Sequence, residues 1–284
     1  MKHIIQHGTD GLGHQLHGLF SCLLLHNISN YYFDGFIFVN KPFNIQDIKD
    51  DKINYHTDIC KNYIIEIVKL FIEYYKIQPI NYSNHIHSHE VYNIPSEYDI
   101  NTIYSLDNAY YFDKINLNYQ DTLLHNKNIS IIKNFFINKY LPVNNLNNNN
   151  IVIHIRRGDA LWSTNNRKNS LLNHTIKVCK LIDIFNKLYP NYTYYIHSDG
   201  DLDLDLKKKL DLFNINYNFY DKTTNIMNII SHFIYAKIFV CDNSALSKVC
   251  CFLGNKKLTI INDDNKHSMP LNVIKISDYI NNQN

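Results

Sequence analysis

The sequence predicts an α/β protein built on parallel sheets, and three observations carry that expectation. From Ile151 onward, short apolar strands alternate with longer helices, the pattern of a parallel sheet with helices on both faces. The first 40 residues follow the same strand, turn, helix, strand order. Between the two patterns lies a polar low-complexity run, Asn144 to Asn150, which marks a domain boundary. The expected halves are residues 1–148 and 149–284.

The chain opens with a strand over His3 to Gln6, a glycine-rich turn over Gly8 to Gly13, and an apolar helix over Gln15 to Asn27. Phe33 to Val39 reads as the next strand. Asp58 to Tyr75 reads as an amphipathic helix, with Ile64, Ile65, Val68, Phe71 and Ile72 at three- and four-residue spacing. Residues 76–125 carry no clear period. Ile129 to Tyr140 reads as a helix that stops before Pro142. In the second half, strands are expected at Ile151 to Ile155, Thr193 to His197, Asn216 to Tyr220, Ile238 to Cys241 and Leu258 to Ile261. Helices are expected at Leu171 to Leu188, Asp205 to Phe213, Ile226 to Tyr235 and Ser244 to Phe252.

Composition sharpens the search for a site. Asn occupies 42 positions and Ala four, a bias that AT-rich codons produce. Most Asn and Lys residues therefore carry little information, and the depleted residues carry more. Only Arg156, Arg157 and Arg167 are arginines, and four of eight glycines are Gly8, Gly11, Gly13 and Gly18. A net charge of +2 argues against nonspecific nucleic-acid binding. No apolar run reaches the ~18 residues of a membrane span, and no secretory leader is visible, so a soluble cytoplasmic protein of a bacterium, a protist or a large DNA virus is expected. The six cysteines form no CxxC pair, which argues against a zinc cluster and favours buried thiols in a reducing compartment.

Ligands of open parallel sheets bind beyond the carboxyl ends of the strands. That rule selects three loops. His154-Ile-Arg-Arg-Gly-Asp159 follows a strand, and two permanent guanidinium cations at a strand end suit a diphosphate. Asp159 is placed to pair with an arginine or to act as an acid or base. Gly8-Thr-Asp-Gly-Leu-Gly-His-Gln-Leu-His-Gly18 is a glycine-rich turn opening a helix, and it fits neither the GxGxxG nor the P-loop pattern. Cys241-Asp-Asn-Ser-Ala-Leu-Ser247 leads from a strand into a helix, where Asn243 or Ser244 is suited to cap the helix or to hold a phosphate.

Taken in order, these stretches resemble the α-1,2-fucosyltransferases. That family carries a GGLGNQ-type turn, an HxRRGD-type strand end, an FSDD-type segment and an SNSSFSWW-type strand-to-helix segment. The matching stretches here are Asp10-Gly-Leu-Gly-His-Gln15, His154 to Asp159, His197-Ser-Asp199 and Asp242-Asn-Ser-Ala-Leu-Ser247. The related α-1,6-fucosyltransferases share the Arg pair and a Gln-Leu-His turn. The resemblance spans roughly residues 8–254.

The resemblance implies a GT-B-like fold of two Rossmann-type halves, with GDP-fucose held mainly by the C-terminal half and a glycan acceptor on the N-terminal side. It implies that Arg156 binds the β-phosphate and that Arg157 is a second donor-site or supporting arginine. His154 would wall the donor site, joined by Ser198 and Asp199. Asn243, Ser244 and Ser247 would form the phosphate loop. Gly11, Gly13, His14 and Gln15 would face the cleft. The implied reaction is inverting fucose transfer to a glycan hydroxyl, with no metal and no cofactor. Asp159, His14 and His17 are the candidates for the base. The chain departs from the family at His14, at Lys248-Val249 (an aromatic pair in the family) and at Asn228 (an acidic position).

Two rivals stand beside this reading. Asp199-Gly-Asp201-Leu-Asp203-Leu-Asp205 contains DxD triplets, which in a metal-dependent transferase hold a cation on a nucleotide diphosphate. The structural explanation is an acidic helix start favoured by the helix dipole. The departures also fit a degenerate protein that binds a sugar nucleotide or glycan without turnover. His85-Ile-His-Ser-His89 alternates like a ligand set, but in a chain of 15 histidines chance accounts for it.

Overall fold

The computed structural model describes four strands of the first half and single positions at Gly13, Glu73, Ser130, Lys133, Asn134 and Asn138. In the second half it describes residues 146–157, 165–254, 256–264 and 273–283. The chain separates into two compact units, Met1–Phe135 and Phe136–Asn284. The low-complexity run that marks a boundary in the sequence lies inside the second unit.

The first unit contains β1 (Lys2–Gly8), β2 (Tyr31–Phe38), β3 (Asn84–Ser88) and β4 (Thr102–Leu106). They form a parallel sheet in the order β2-β1-β4-β3. β3 and β4 lie in the stretch where the sequence shows no period. The helices expected over 15–27, 58–75 and 129–140 lie almost wholly outside the described residues, although Glu73, Ser130, Lys133 and Asn134 are helical.

The second unit is better determined by its sequence. β5 (Asn150–Ile155) leads to α1 (Asn165–Leu188), β6 (Thr193–Ser198), α2 (Leu204–Leu212) and β7 (Tyr217–Tyr220). α3 (Ile226–Tyr235), β8 (Ile238–Cys241), α4 (Ala245–Leu253) and β9 (Leu258–Ile261) follow, and β10 (Val273–Lys275) with α5 (Ile276–Asn281) ends the unit. The expected elements are all present. α1 starts six residues earlier than its apolar period, because 165–170 are polar and show no stripe. β10 and α5 are additional.

The six strands are parallel, in the order β10-β9-β8-β5-β6-β7. Read from the other edge this is the doubly wound order 3-2-1-4-5-6, with β5 as its first strand. The winding reverses between β5 and β8, so the carboxyl ends of those two strands frame the crevice such sheets use for ligands.

The two faces of the sheet differ. Ile151, Ile153, Ile155, Tyr194, Ile196, Ile238, Val240 and Ile260 pack with Val178, Leu181, Ile182 and Phe185 of α1, Leu206 and Leu210 of α2, and Ile276 and Tyr279 of α5. Successive strand residues alternate sides, so His154, Tyr195, His197 and Phe239 belong to the opposite face, where α3 brings His232 and Phe233 against them. Polar ties fix the helices. Lys209 of α2 pairs with Asp183 of α1 at 2.7 Å. Asp263, after β9, accepts from Lys177 of α1 and from Ser277 of α5.

Phe185 is fully buried in this core. Phe185→Ala is expected to cost about 3–5 kcal/mol of unfolding free energy, read by urea denaturation. Leu212→Ala, at a side chain 72% exposed, is expected to stay within about 0.5 kcal/mol.

Candidate functional site

Three strand ends and one helix start converge at the reversal point. A single carboxylate organises them. Asp242 follows β8 and is 0% exposed. Its Oδ2 accepts from the Arg156 amide at 3.0 Å, just past the end of β5. Its Oδ1 accepts from the Asn243 amide at 2.7 Å and from Asn262 Nδ2 at 2.9 Å, just past the end of β9. Burial works to raise its pKa, but nearby His174 and the bonds from Asn262 and Asn243 outweigh that and hold it below the usual carboxylate range. Asp242 therefore stays ionised and fixes the backbone of the Arg pair.

The two arginines take different places. Arg156 is half-buried at the strand end. Arg157 turns into the protein and is 6% exposed. Its guanidinium donates to Thr175 of α1, to the Arg156 carbonyl at 3.2 Å and to Asp203 at 3.4 Å, and its amide donates to Asp199. In the structure Arg157 joins β5, α1 and the start of α2.

The acidic run is drawn into the same framework. Asp203 is the N-cap of α2, accepting from the Asp205 and Leu206 amides at 3.0 and 3.3 Å. Asp205 lies 3.6 Å from exposed Lys208. Ser198 accepts from the Gly200 amide at 3.1 Å in the turn after β6. Among the described residues, no group of three or more His, Cys, Asp or Glu side chains is placed to hold a metal ion.

α4 begins at the site with an open start. Ser244 occupies its N-cap position, yet its hydroxyl makes no capping bond. Ser247, in the first turn, instead bonds His154 Nδ1. The His154 ring packs against Phe233 at 5.1 Å. Desolvation lowers its pKa to about 4, against the opposing pull of Asp242 and Asp199. His154 is thus a neutral polar wall at pH 7, beside the permanent charges of Arg156 and Arg157.

Beside it lies a layer of rings. His197 Nε2 meets His232 Nδ1 at 3.0 Å. His197 stacks on Tyr220 at 4.8 Å, and Tyr195 meets His232 edge-on. Burial drives His197 well below 6.5, and neighbouring His232 and His154 add to it. Burial alone brings His232 to about 4. His174, on α1, is fully buried, and among the described residues neither of its ring nitrogens finds a hydrogen-bond partner.

Of the residues expected from sequence, the structure brings together His154, Arg156, Arg157, Asp199, Asn243, Ser244 and Ser247, with Ser198 in the adjoining turn. Gly11, His14, Gln15 and Asp159 lie outside the described residues, and Gly13 is described as helical and buried. Sequence reasoning placed Asp242 and His197 inside matched stretches without giving either a role, and it did not single out His174 or His232. Asp242 had a signal, an acid closing an apolar strand beside a predicted ligand loop. His174 and His232 had none, since their partners are remote in sequence.

No protein-family model matches the chain, and no curated protein matches it. Solved structures do. POFUT1 in complex with GDP aligns over 97% of this chain and 98% of that chain, at 9% identity and a TM-score of 0.50. A mutant of Arabidopsis thaliana FUT1 in complex with GDP aligns over 89% and 69%, at 11% identity and a TM-score of 0.40. A glycosyl transferase of family 9 from Veillonella parvula aligns over 98% and 86%, at 12% identity and a TM-score of 0.41. The likeness to POFUT1 is one of fold: the six-stranded parallel sheet of the second unit is flanked by helices, in keeping with the GT-B fold of its neighbours.

Neutral burial of these histidines sets a pH dependence. A His whose folded pKa lies below its unfolded value near 6.5 gives stability that is complete above pH 6.5 and is lost as pH falls toward the folded value. Unfolding free energy is expected to fall between pH 6.5 and pH 4, and His232→Gln is expected to flatten that limb. Denaturant titrations across this range check it; a wild-type stability that is level or rises over the same range contradicts it.

Proposed function

We propose that the chain is a glycosyltransferase, specifically an inverting fucosyltransferase that moves L-fucose from GDP-fucose to a glycan hydroxyl without metal. The observation that carries this reading is that Asp242 ties the Arg156 amide beside the uncapped start of α4 at the reversal point of the sheet. A permanent cation and a set of helix-start amides together match a diphosphate. The fold shared with POFUT1, solved with GDP, supports the same choice.

The chemistry follows from charge. The acceptor oxygen attacks the anomeric carbon from the face opposite the leaving diphosphate, and the bond from that carbon to the diphosphate oxygen breaks. Positive charge grows on the sugar and negative charge on the leaving β-phosphate. Arg156 and the α4 amides would stabilise that negative charge, and they are fixed beforehand by Asp242. Neutral His154, held by Ser247, would line the pocket without competing for the anion. Asp159, His14 and His17 are the candidates on chemistry alone to accept the acceptor proton.

The alternative use of the acidic run as a metal site finds less support. Asp199 accepts from the Arg157 amide, and Asp203 is committed both to capping α2 and to Arg157. These carboxylates are engaged in capping α2 and in holding Arg157.

Calorimetry checks the reading. GDP is expected to bind in the presence of EDTA, and Arg156→Ala is expected to weaken binding by roughly 10- to 100-fold. Binding that requires a divalent cation and ignores the substitution contradicts it. Tight GDP-fucose binding with neither transfer nor hydrolysis would select the degenerate binding protein instead.

A further inference from the structure

Lys248 is 1% exposed, a rare state for lysine. It sits one turn into α4, with Ser244 as the N-cap position and Asn243 immediately before it. Its Nζ donates to Asn243 Oδ1 at 2.8 Å. These are the two positions that an apolar staple joins in many helices, the residue before the cap and the fourth residue of the helix. Here the staple is polar. The fucosyltransferase pattern that the sequence resembles has an aromatic pair beginning at this point, so the lysine belongs to this chain rather than to the pattern.

The chemistry of the pair fixes an orientation. A lysine ammonium carries three donors and no acceptor, whereas a carboxamide has an accepting end and a donating end. The end of Asn243 that meets Lys248 must therefore be the oxygen. The Asn243 amide N–H is already given to Asp242, so the backbone of this residue is fixed as well. Asn243 is half-buried.

We propose that Lys248 is a positioning residue for the donor diphosphate: it holds Asn243 Oδ1 inward so that Asn243 Nδ2 is presented to the anion. With an apolar residue at 248, either end of the carboxamide could face the ligand, and the oxygen end would repel a phosphate. The inference rests on the donor-site reading above and adds a residue to it.

The test is a double-mutant cycle read by calorimetric titration with GDP, with guanosine as the phosphate-free control. Lys248→Met keeps the unbranched stem and removes the charge. It and Asn243→Ala are each expected to weaken GDP binding about tenfold. The double variant is expected to be no weaker than either single one, because both remove the same contact. Guanosine binding stays unchanged, and Lys248→Arg restores GDP binding. Wild-type GDP affinity in Lys248→Met, or losses that add in the double variant, overturns the inference alone. A wild-type protein that binds no GDP overturns the donor-site reading together with it. Should Lys248→Met fail to fold, Asn243→Asp serves. Its carboxylate still meets Lys248 but turns a second oxygen to the diphosphate, so GDP affinity must fall at least as far as in Asn243→Ala; an unchanged affinity overturns the inference.

Discussion

The buried carboxylate of Asp242 is the constraint on which the rest of the site depends. A charge without solvent access persists only where donors surround it. Asp242 has them in the amides of Arg156 and Asn243 and the side chain of Asn262. Those three donors come from beyond three neighbouring strands, β5, β8 and β9. The carboxylate therefore fastens the three strand ends to one another and sets the path of the backbone into α4. The Arg156 backbone, the path into α4 and the Asn243 backbone are all placed by that single group.

Around this anchor the sheet separates two tasks. The face packed by α1, α2 and α5 is largely apolar and holds the unit together. The face toward α3 and α4 carries histidine and tyrosine rings near the same strand ends. Burial keeps His154 and His232 uncharged at neutral pH. Arg157 is tied down by Thr175 and Asp203, so its charge is engaged in the framework. The proposed division is then one cation for the leaving group, one for the scaffold, and neutral rings for the walls.

Much of this was legible in the sequence, and the reasons are particular. β8 and β9 are short runs of apolar, mainly β-branched residues, and α3 has a strong apolar stripe, so their bounds coincide with expectation. Arg156 and Arg157 stood out because arginine is scarce in the chain. The start of α1 was hidden by six polar residues, and β3 and β4 by a stretch with no period. The split between Arg156 and Arg157 was left open, since strand alternation does not say which guanidinium will find Thr175, 18 residues later. Lys248 was visible only as a departure from a pattern; its role needed the distance to Asn243.

A crystal structure of the protein with GDP tests the central claim most directly. The account predicts the diphosphate against the Arg156 guanidinium and the first amides of α4, with Asn243 Nδ2 turned to an oxygen of the anion. A diphosphate held through a cation by the Asp199 to Asp205 run, with Arg156 remote from it, would contradict the account.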